Sequence, residues 1–479
     1  MLFNSLAFWL FLPAVFIIYW ELQRCSLRVQ NLFLLAASYF FYGWWDWRFL
    51  LLIFASSLTD YLVGMGLGRT GIRSSRRRML LWTSLFINLG LLGFFKYFNF
   101  FVSSVARLLT QFGMEPHLPV LNVILPVGIS FYTFQTLSYT IDIYRGKVKP
   151  VNDPVAFFAF VSFFPQLVAG PVERAKTFLP QFLERRRFDP ATATDGMRQI
   201  LWGLLKKMVV ADNIGRIVDV VFSHSDGLNW VGLLIGGTFF SIQIYCDFSG
   251  YTDIAIGAAR LFGFSLMRNF AYPYFSRNLT EFWSRWNISV SSWFRDYVYI
   301  PLGGSRVSDW RHIANLVITF TVSGLWHGAA WTFIIWGLAH GVLYCLTMVT
   351  GHNTKYDDVV ARGRLLPSVG EAWSMFLTLV PVIGTAIVFR AQSIGGAWRF
   401  LSDIATFRGG LDLGMGYFAE GLVMSAVLFG VEWLQRSRKH GLEIDFMPRT
   451  LRWAVYYACV AVLVLYGNFG QQEFIYFHF

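Results

Sequence analysis

Charge is scarce in this chain. Asp, Glu, Lys and Arg make up 14% of its 479 residues, about half of the ~25% usual in soluble globular domains. Hydrophobic residues reach 55%, mean hydropathy is +0.49, and the 49 phenylalanines outnumber every charged type taken singly. One or two soluble cores cannot hide that much apolar surface. A water-soluble protein and a disordered one are thereby excluded. Cysteine is scarce as well. Cys25, Cys246, Cys345 and Cys459 form no CxxC pair and no metal-ligand spacing, so a disulfide scaffold is excluded and the thiols read as buried groups in or beside spans. Also missing are a Gly-x-Ser-x-Gly elbow, a Walker loop and a Gly-x-Gly-x-x-Gly after a strand. His117, His224, His312, His352, His440 and His478 fall in loops or at ends, and no pair has zinc-ligand spacing. The apolar stretches are continuous rather than alternating, which disfavours a β-barrel. What remains is an all-α polytopic membrane protein.

The formal net charge is +12. The basic clusters are short and lie between apolar runs, so they read as topology determinants facing the cytoplasm and not as a nucleic-acid surface. Arg24 and Arg28 mark one such loop, and Arg69, Arg73, Arg76, Arg77 and Arg78 a second. Two spans joined by the aromatic turn Trp44-Trp45-Asp46-Trp47 separate them, which puts the N-terminus outside. The first apolar run lacks a basic n-region and a small-residue cleavage site, so it reads as a first span and not as a removed signal peptide.

Spans of about 20 apolar residues are expected near 5–20, 31–45, 48–67, 79–107, 120–141, 154–172, 228–248, 313–349, 372–389, 417–434 and 452–468. The stretch 154–172 contains Pro165, Gly170 and Pro171 and breaks the loop parity, which predicts a re-entrant segment. The stretch 196–222, with Lys206, Lys207 and Arg216, reads as an amphipathic interfacial helix. The stretch 313–349 is too long for one straight span and predicts a tilted helix plus a second segment, or a break near Gly337. No linker or repeat divides the chain, so residues 1–479 read as one membrane domain with its catalytic core in 120–349.

Intramembrane polar groups mark the chemistry, because each is costly without a purpose or a partner. Residues 246–306 mix Asp247, Asp253, Arg285, Arg295 and Asp296 with large aromatics and glycines, as the wall of a cavity set in the membrane would. His327 sits in a long apolar stretch beside Trp326, with Ser323, Gly324, Gly328, Ala329 and Ala330 around it. The small residues leave room for another backbone or for a ligand. His340 lies thirteen residues on, roughly 220° net around a straight helix; on such a helix the two histidines cannot share a site, and His340 reads as a packing or helix-bridging residue.

Phe282-Trp283-Ser284-Arg285-Trp286-Asn287-Ile288-Ser289, then Trp293-Phe294-Arg295-Asp296-Tyr297, Ile300-Pro301-Leu302-Gly303-Gly304 and Ser323-Gly324-Leu325-Trp326-His327-Gly328 resemble the membrane-bound O-acyltransferase superfamily. Gln166-Leu167-Val168-Ala169-Gly170-Pro171 and the terminal Phe474-Ile475-Tyr476-Phe477-His478-Phe479 resemble its alginate O-acetyltransferase branch, and the resemblance covers nearly the whole chain. It implies a ring of about 10–12 transmembrane helices, with re-entrant and interfacial helices, around a central tunnel in a bacterial inner membrane. The family's essential histidine falls on His327. Its second polar position falls on Asn287, where the alginate branch usually carries histidine; asparagine cannot shuttle a proton, but it can orient an acceptor or stabilise an oxyanion.

The resemblance further implies no bound cofactor, acetyl-CoA as donor, a polysaccharide acceptor reached directly or through a periplasmic acetyltransferase partner, membrane lipids as surroundings and no nucleic acid. A thiol leaving group with pKa about 8.5 departs without much help, whereas the acceptor alcohol must lose its proton as it attacks. An imidazole with an ordinary pKa near 6.5 can take it. That assigns the general base to His327, positioning to Asn287, tunnel lining to Trp286 and Trp326, and a bracing ion pair to Arg295 and Asp296. Lys206, Lys207 and the 174–187 cluster are either topology signals or attractors of the donor's phosphates. D-alanyl or other acyl transfer would use the same scaffold. A small-solute transporter would also explain intramembrane charge, but no matching interrupted halves are present.

Overall fold

A computed structural model describes all residues except 70, 72, 115–120, 122, 123, 169, 357, 471 and 476–479. His117, His478, Ala169 and the end of the C-terminal motif lie outside the described residues, as does part of the expected span 120–141. The regular secondary structure of the described residues is helical, apart from one isolated bridge, Leu228 with Leu411. The chain divides into two compact units, 6–193 with 259–266, and 194–258 with 267–479, the extreme N-terminal residues aside.

The first unit contains α1 (Leu6–Glu21), α2 (Leu27–Gly43), α3 (Phe49–Leu67), α4 (Ser74–Leu92), α5 (Phe98–Gln111), α6 (Ile129–Tyr144), α7 (Pro154–Ser162), α8 (Phe164–Leu167) and α9 (Ala175–Phe178). A π-helical turn, Gly93–Tyr97, joins α4 to α5 into one apolar rod of 38 residues. The expected break in 154–172 is present. Asp153 caps α7 by accepting from the backbone N–H groups of Val155 and Ala156, and Pro154 fits the first helical turn. The helix stops at Phe163, whose φ and ψ of −50° and 110° are non-helical. Every described residue from Ala156 to Val168 is buried, as irregular backbone at membrane depth requires. Asp60, fully buried in α3, accepts from Asn88 of α4 and Thr140 of α6, both at 2.7 Å, and from Ser84.

α10 (Pro190–Leu204) leads into the second unit, which holds α11 (Asp212–Ser223), α12 (Trp230–Leu261), α13 (Leu279–Arg285), α14 (Ile288–Phe294), α15 (Asp309–His327), α16 (Trp331–Val349), α17 (Val369–Arg390), α18 (Ile394–Ala405), α19 (Met415–Leu434) and α20 (Arg449–Tyr466). The interfacial reading of 196–222 is corrected here. The π-helical turn Leu205–Ala211 between α10 and α11 is buried throughout. Lys206 and Lys207 do not face water, because carboxylates inside the protein meet them: Asp253 at 2.6 Å for Lys206, and Asp212 and Asp247 at 2.7 and 2.6 Å for Lys207. They are therefore not attractors of a donor's phosphates.

Among the described residues, eight helical segments are long and apolar enough to cross a membrane: α1 with its following turn, α3, the α4–α5 rod, α12, α16, α17, α19 and α20. Most boundaries match the expected spans within a few residues. The stretch 313–349 is two helices, as one expectation had it, but the break falls at Gly328–Ala330 and not near Gly337. Gly337 instead lets the helices touch: a Cβ there would lie 2.3 Å from the Phe320 carbonyl oxygen, and one at Gly324 would lie 2.3 Å from that of Phe333. This is close packing through small residues, as membrane helices favour.

Candidate active site

His327 is the last residue of α15, and the extended backbone at Gly328 and Ala330 turns the chain back into α16. A Cβ on Gly328 would meet the Phe333 ring at 2.2 Å. The small run after His327 thus lets a backbone and a ring approach, the first of the two uses expected for it. The His327 ring is 4% exposed and stands edge-on to Trp336 and Phe389, with centroids 5.0 and 5.5 Å away.

Folding α16 against α15 changes the relation of the two histidines. The 220° argument holds for one straight helix, and the helix is not continuous. His340 lies on the far side of Trp336, centroids 4.8 Å apart, and both histidines line one cavity of about 40 Å³. Its walls come from α12 (Phe240, Ile244), from Tyr274, from α13 with its C-cap (Phe282, Trp283, Trp286), from α16, and from Val382, Ala386 and Phe389 of α17. The last three lie beyond residue 349. Among the described residues, no carboxylate lines this cavity.

The His340 Nε2 and the Thr385 hydroxyl oxygen are 2.9 Å apart. The Thr385 hydroxyl also lies 2.9 and 3.0 Å from the carbonyl oxygens of Pro381 and Val382, to which it can donate. His340 Nδ1 is buried with no hydrogen-bond partner. The indole Nε1–H of Trp283 is likewise buried and unpartnered. Its ring stands edge-on to His340 at 4.9 Å and to Trp336 at 5.9 Å.

α13 is held rigidly. Asn278 caps it by accepting from the Glu281 backbone N–H. Buried Glu281 receives Arg277 at 3.0 Å and Arg285 at 2.7 Å, and Arg277 reaches on to Asp358 at 2.8 Å. The Tyr356 ring lies 3.6 Å from the Arg277 guanidinium carbon, and Asn278 donates to the Thr354 carbonyl. Arg285, noticed in the sequence as an intramembrane charge, is a brace for the helix that carries Phe282 and Trp283.

The other expected site residues divide. Trp286 lines the cavity beside His327; Asn287, Trp326, Arg295 and Asp296 do not line it. Asn287 follows Trp286 at φ 43° and ψ 53°, the left-handed region that asparagine tolerates, and its Oδ1 is buried without a partner. Trp326 packs edge-on to His327 at 4.9 Å. Arg295 and Asp296 form the expected ion pair, 2.9 Å apart, but Arg295 is exposed on a π-helical turn, so the pair does not brace this cavity. Sequence reasoning did not place Trp283, Trp336 or the α17 residues on this wall; its reading of His340 as a helix-bridging residue fits the contact with Thr385 of α17, but it did not put His340 beside His327. The signal for His340 was the Gly328-Ala329-Ala330 run, which permits a chain reversal between the histidines.

Residues 151–384 match the model of the membrane-bound O-acyltransferase family. The chain is 40% identical over 411 residues to a protein of Azotobacter vinelandii named "Probable alginate O-acetylase AlgI", covering 85% of this chain and 78% of that one. The chain belongs to the membrane-bound O-acyltransferase family. It is a multi-pass membrane O-acyltransferase. It is also 34% identical over 440 residues to a peptidoglycan O-acetyltransferase of Helicobacter pylori, covering 85% and 80% of the two chains. A teichoic acid D-alanyltransferase of Bacillus subtilis is 30% identical over 281 residues, 56% of this chain and 68% of that protein. The matched residues 151–384 include the whole α13–α16 region that carries His327, Trp283 and His340.

Proposed function

We propose that this O-acyltransferase moves an acetyl group from the cytoplasmic thioester acetyl-CoA across a bacterial inner membrane, for O-acetylation of an extracytoplasmic polysaccharide such as alginate. The polymer is acetylated directly or through a periplasmic acetyltransferase partner. His327 is the general base: it takes the proton of the acceptor alcohol as the oxygen attacks the thioester carbonyl, and the thiolate leaves. Such a base contributes ~10²–10⁴-fold in rate. Asn287 positions the acceptor, its unpartnered Oδ1 suiting a hydroxyl donor. Trp286 and Trp326 shape the passage. The basic loops at 24–28 and 69–78 face the cytoplasm.

The observation that carries this reading is the size and chemistry of the cavity beside His327. About 40 Å³ is room on the order of three water molecules, the bulk of an acetyl group. A D-alanyl group would add a carbon and an ammonium, and no lining carboxylate would receive that charge. The names of the alginate and peptidoglycan relatives point the same way.

The test is transfer of labelled acetyl from acetyl-CoA by purified protein in membranes to a polysaccharide or partner acceptor. A folded His327→Ala variant is expected to lose transfer. Full activity in that variant overturns the base assignment, and preference for a D-alanyl donor overturns the acetyl reading.

A further inference from the structure

Two residues on the wall of the small cavity beside His327 carry polar atoms that the folded chain leaves unanswered. One is the Nε1–H of Trp283 and the other Nδ1 of His340; both atoms are buried and neither has a hydrogen-bond partner. A buried polar group without a partner is destabilising, so leaving both beside one cavity of about 40 Å³ is costly unless a ligand uses them. Resting on the reading of this cavity as the acyl site, we propose that Trp283 is a catalytic residue whose indole N–H donates to the acyl carbonyl oxygen and stabilises the oxyanion.

The Trp283 indole N–H is buried and unpartnered, which sets it apart from Trp286 and Trp336 on the same wall. Acyl transfer builds negative charge on the carbonyl oxygen, and a preorganised donor aimed at that oxygen lowers the barrier. His340 holds its Nε2 against the Thr385 hydroxyl at 2.9 Å, which ties one side of its ring to α17. The Tyr274 hydroxyl, also on the wall, already donates to the Ser241 carbonyl. The Trp283 N–H is uncommitted, and its ring is held by Phe320, Trp336 and His340 at 5.2, 5.9 and 4.9 Å. The helix beneath it is fixed by the Arg277–Glu281–Arg285 bridges. A fixed dipole of this kind needs no reorganisation as charge develops.

In the step itself, the acceptor oxygen bonds to the carbonyl carbon while His327 takes its proton. The carbonyl π pair moves to oxygen and is met by the Trp283 N–H. The pair then returns, the carbon–sulfur bond breaks, and the sulfur leaves with the bonding electrons to be protonated. An indole is an uncharged donor, so its bond strengthens most when the oxygen is most negative, which places its effect on kcat and not on KM.

The experiment replaces Trp283 by its benzothiophene analogue, which keeps the bicyclic shape and lacks the N–H, alongside Trp283→Phe, and measures kcat and KM with acetyl-CoA. Removing one oxyanion donor lowers kcat ~10²–10³-fold; that loss in the analogue, with KM within about threefold, is the expected result. A kcat within about threefold of the parent in the analogue overturns the proposal. So does an equal loss caught entirely in KM. Because the analogue keeps the ring, a low activity in Trp283→Phe alone counts as packing and against the proposal. His327→Ala, run in parallel, separates the two readings: if it is inactive while the analogue is fully active, only the role of Trp283 falls.

Discussion

If the cavity beside His327 measures the acyl group, enlarging it by a known amount must change which acyl group is preferred. Val382 of α17 lines the cavity and is 6% exposed. Val382→Ala removes two methyl groups from a wall around about 40 Å³, space enough for the one extra methylene of a propionyl group. A methylene placed in an apolar pocket is worth about 1–3 kcal/mol in discrimination, or 10–200-fold, and burial by area gives ~0.8 kcal/mol. The propionyl-to-acetyl ratio of kcat/KM is therefore expected to rise by about 4- to 200-fold in Val382→Ala. Transfer from propionyl-CoA and acetyl-CoA, measured in competition, reads the ratio directly and cancels any loss of active protein. The two methyl groups removed cost stability of at least ~1.6 kcal/mol, which thermal unfolding in detergent reports separately. A ratio unchanged within twofold in a folded variant would refute the idea that this cavity holds the acyl group.

Three further outcomes follow from the packing and the charges. Lys207→Met would leave Asp212 and Asp247 buried without the ammonium that bridges them at 2.7 and 2.6 Å, costing about 3–5 kcal/mol; thermal unfolding should show it, and adding Asp247→Asn should recover part of the loss. Gly324→Leu would set a Cβ 2.3 Å from the Phe333 carbonyl oxygen, which is backbone and cannot yield, so α15 and α16 should separate with a cost of ~1–3 kcal/mol and loss of transfer, whereas Gly384→Ala, with no atom within 4 Å, should be neutral or slightly stabilising. The hydrogen bond from Arg277 holds the Asp358 carboxyl below its ordinary value of 3.8; a depressed carboxylate stabilises above that value and the contribution fades as pH falls through the folded pKa. Hydrogen-exchange protection in the loop between α16 and α17, the rate taken relative to the intrinsic rate at each pH, should therefore be unchanged from neutral pH down to about 4 and fall below it; a fall already at pH 6 would contradict the assignment.

Composition and apolar run length were enough to establish an all-helical membrane chain, because a bilayer accepts few other structures. The motif around Trp283–Asn287 and the Trp326-His327-Gly328 run were enough to point to acyl transfer, and Pro165, Gly170 and Pro171 to broken helix, because each is a local property of the chain. Whether a charge faces water is not local. Lys206 and Lys207 looked like an interfacial pair from their own segment, and the carboxylates that bury them sit some 40 residues away on α12 and at Asp212. The same holds for the site. A histidine thirteen residues from another lands on the opposite face of a straight helix, but three non-helical residues at Gly328–Ala330 fold α16 back along α15 and bring both imidazoles to one cavity. The partner of His340 is Thr385, 45 residues on. The sequence alone determined what kind of solvent this chain lives in and which residue types could do chemistry. Which of them meet was decided by close backbone contact at Gly324 and Gly337, a property that no periodicity carries.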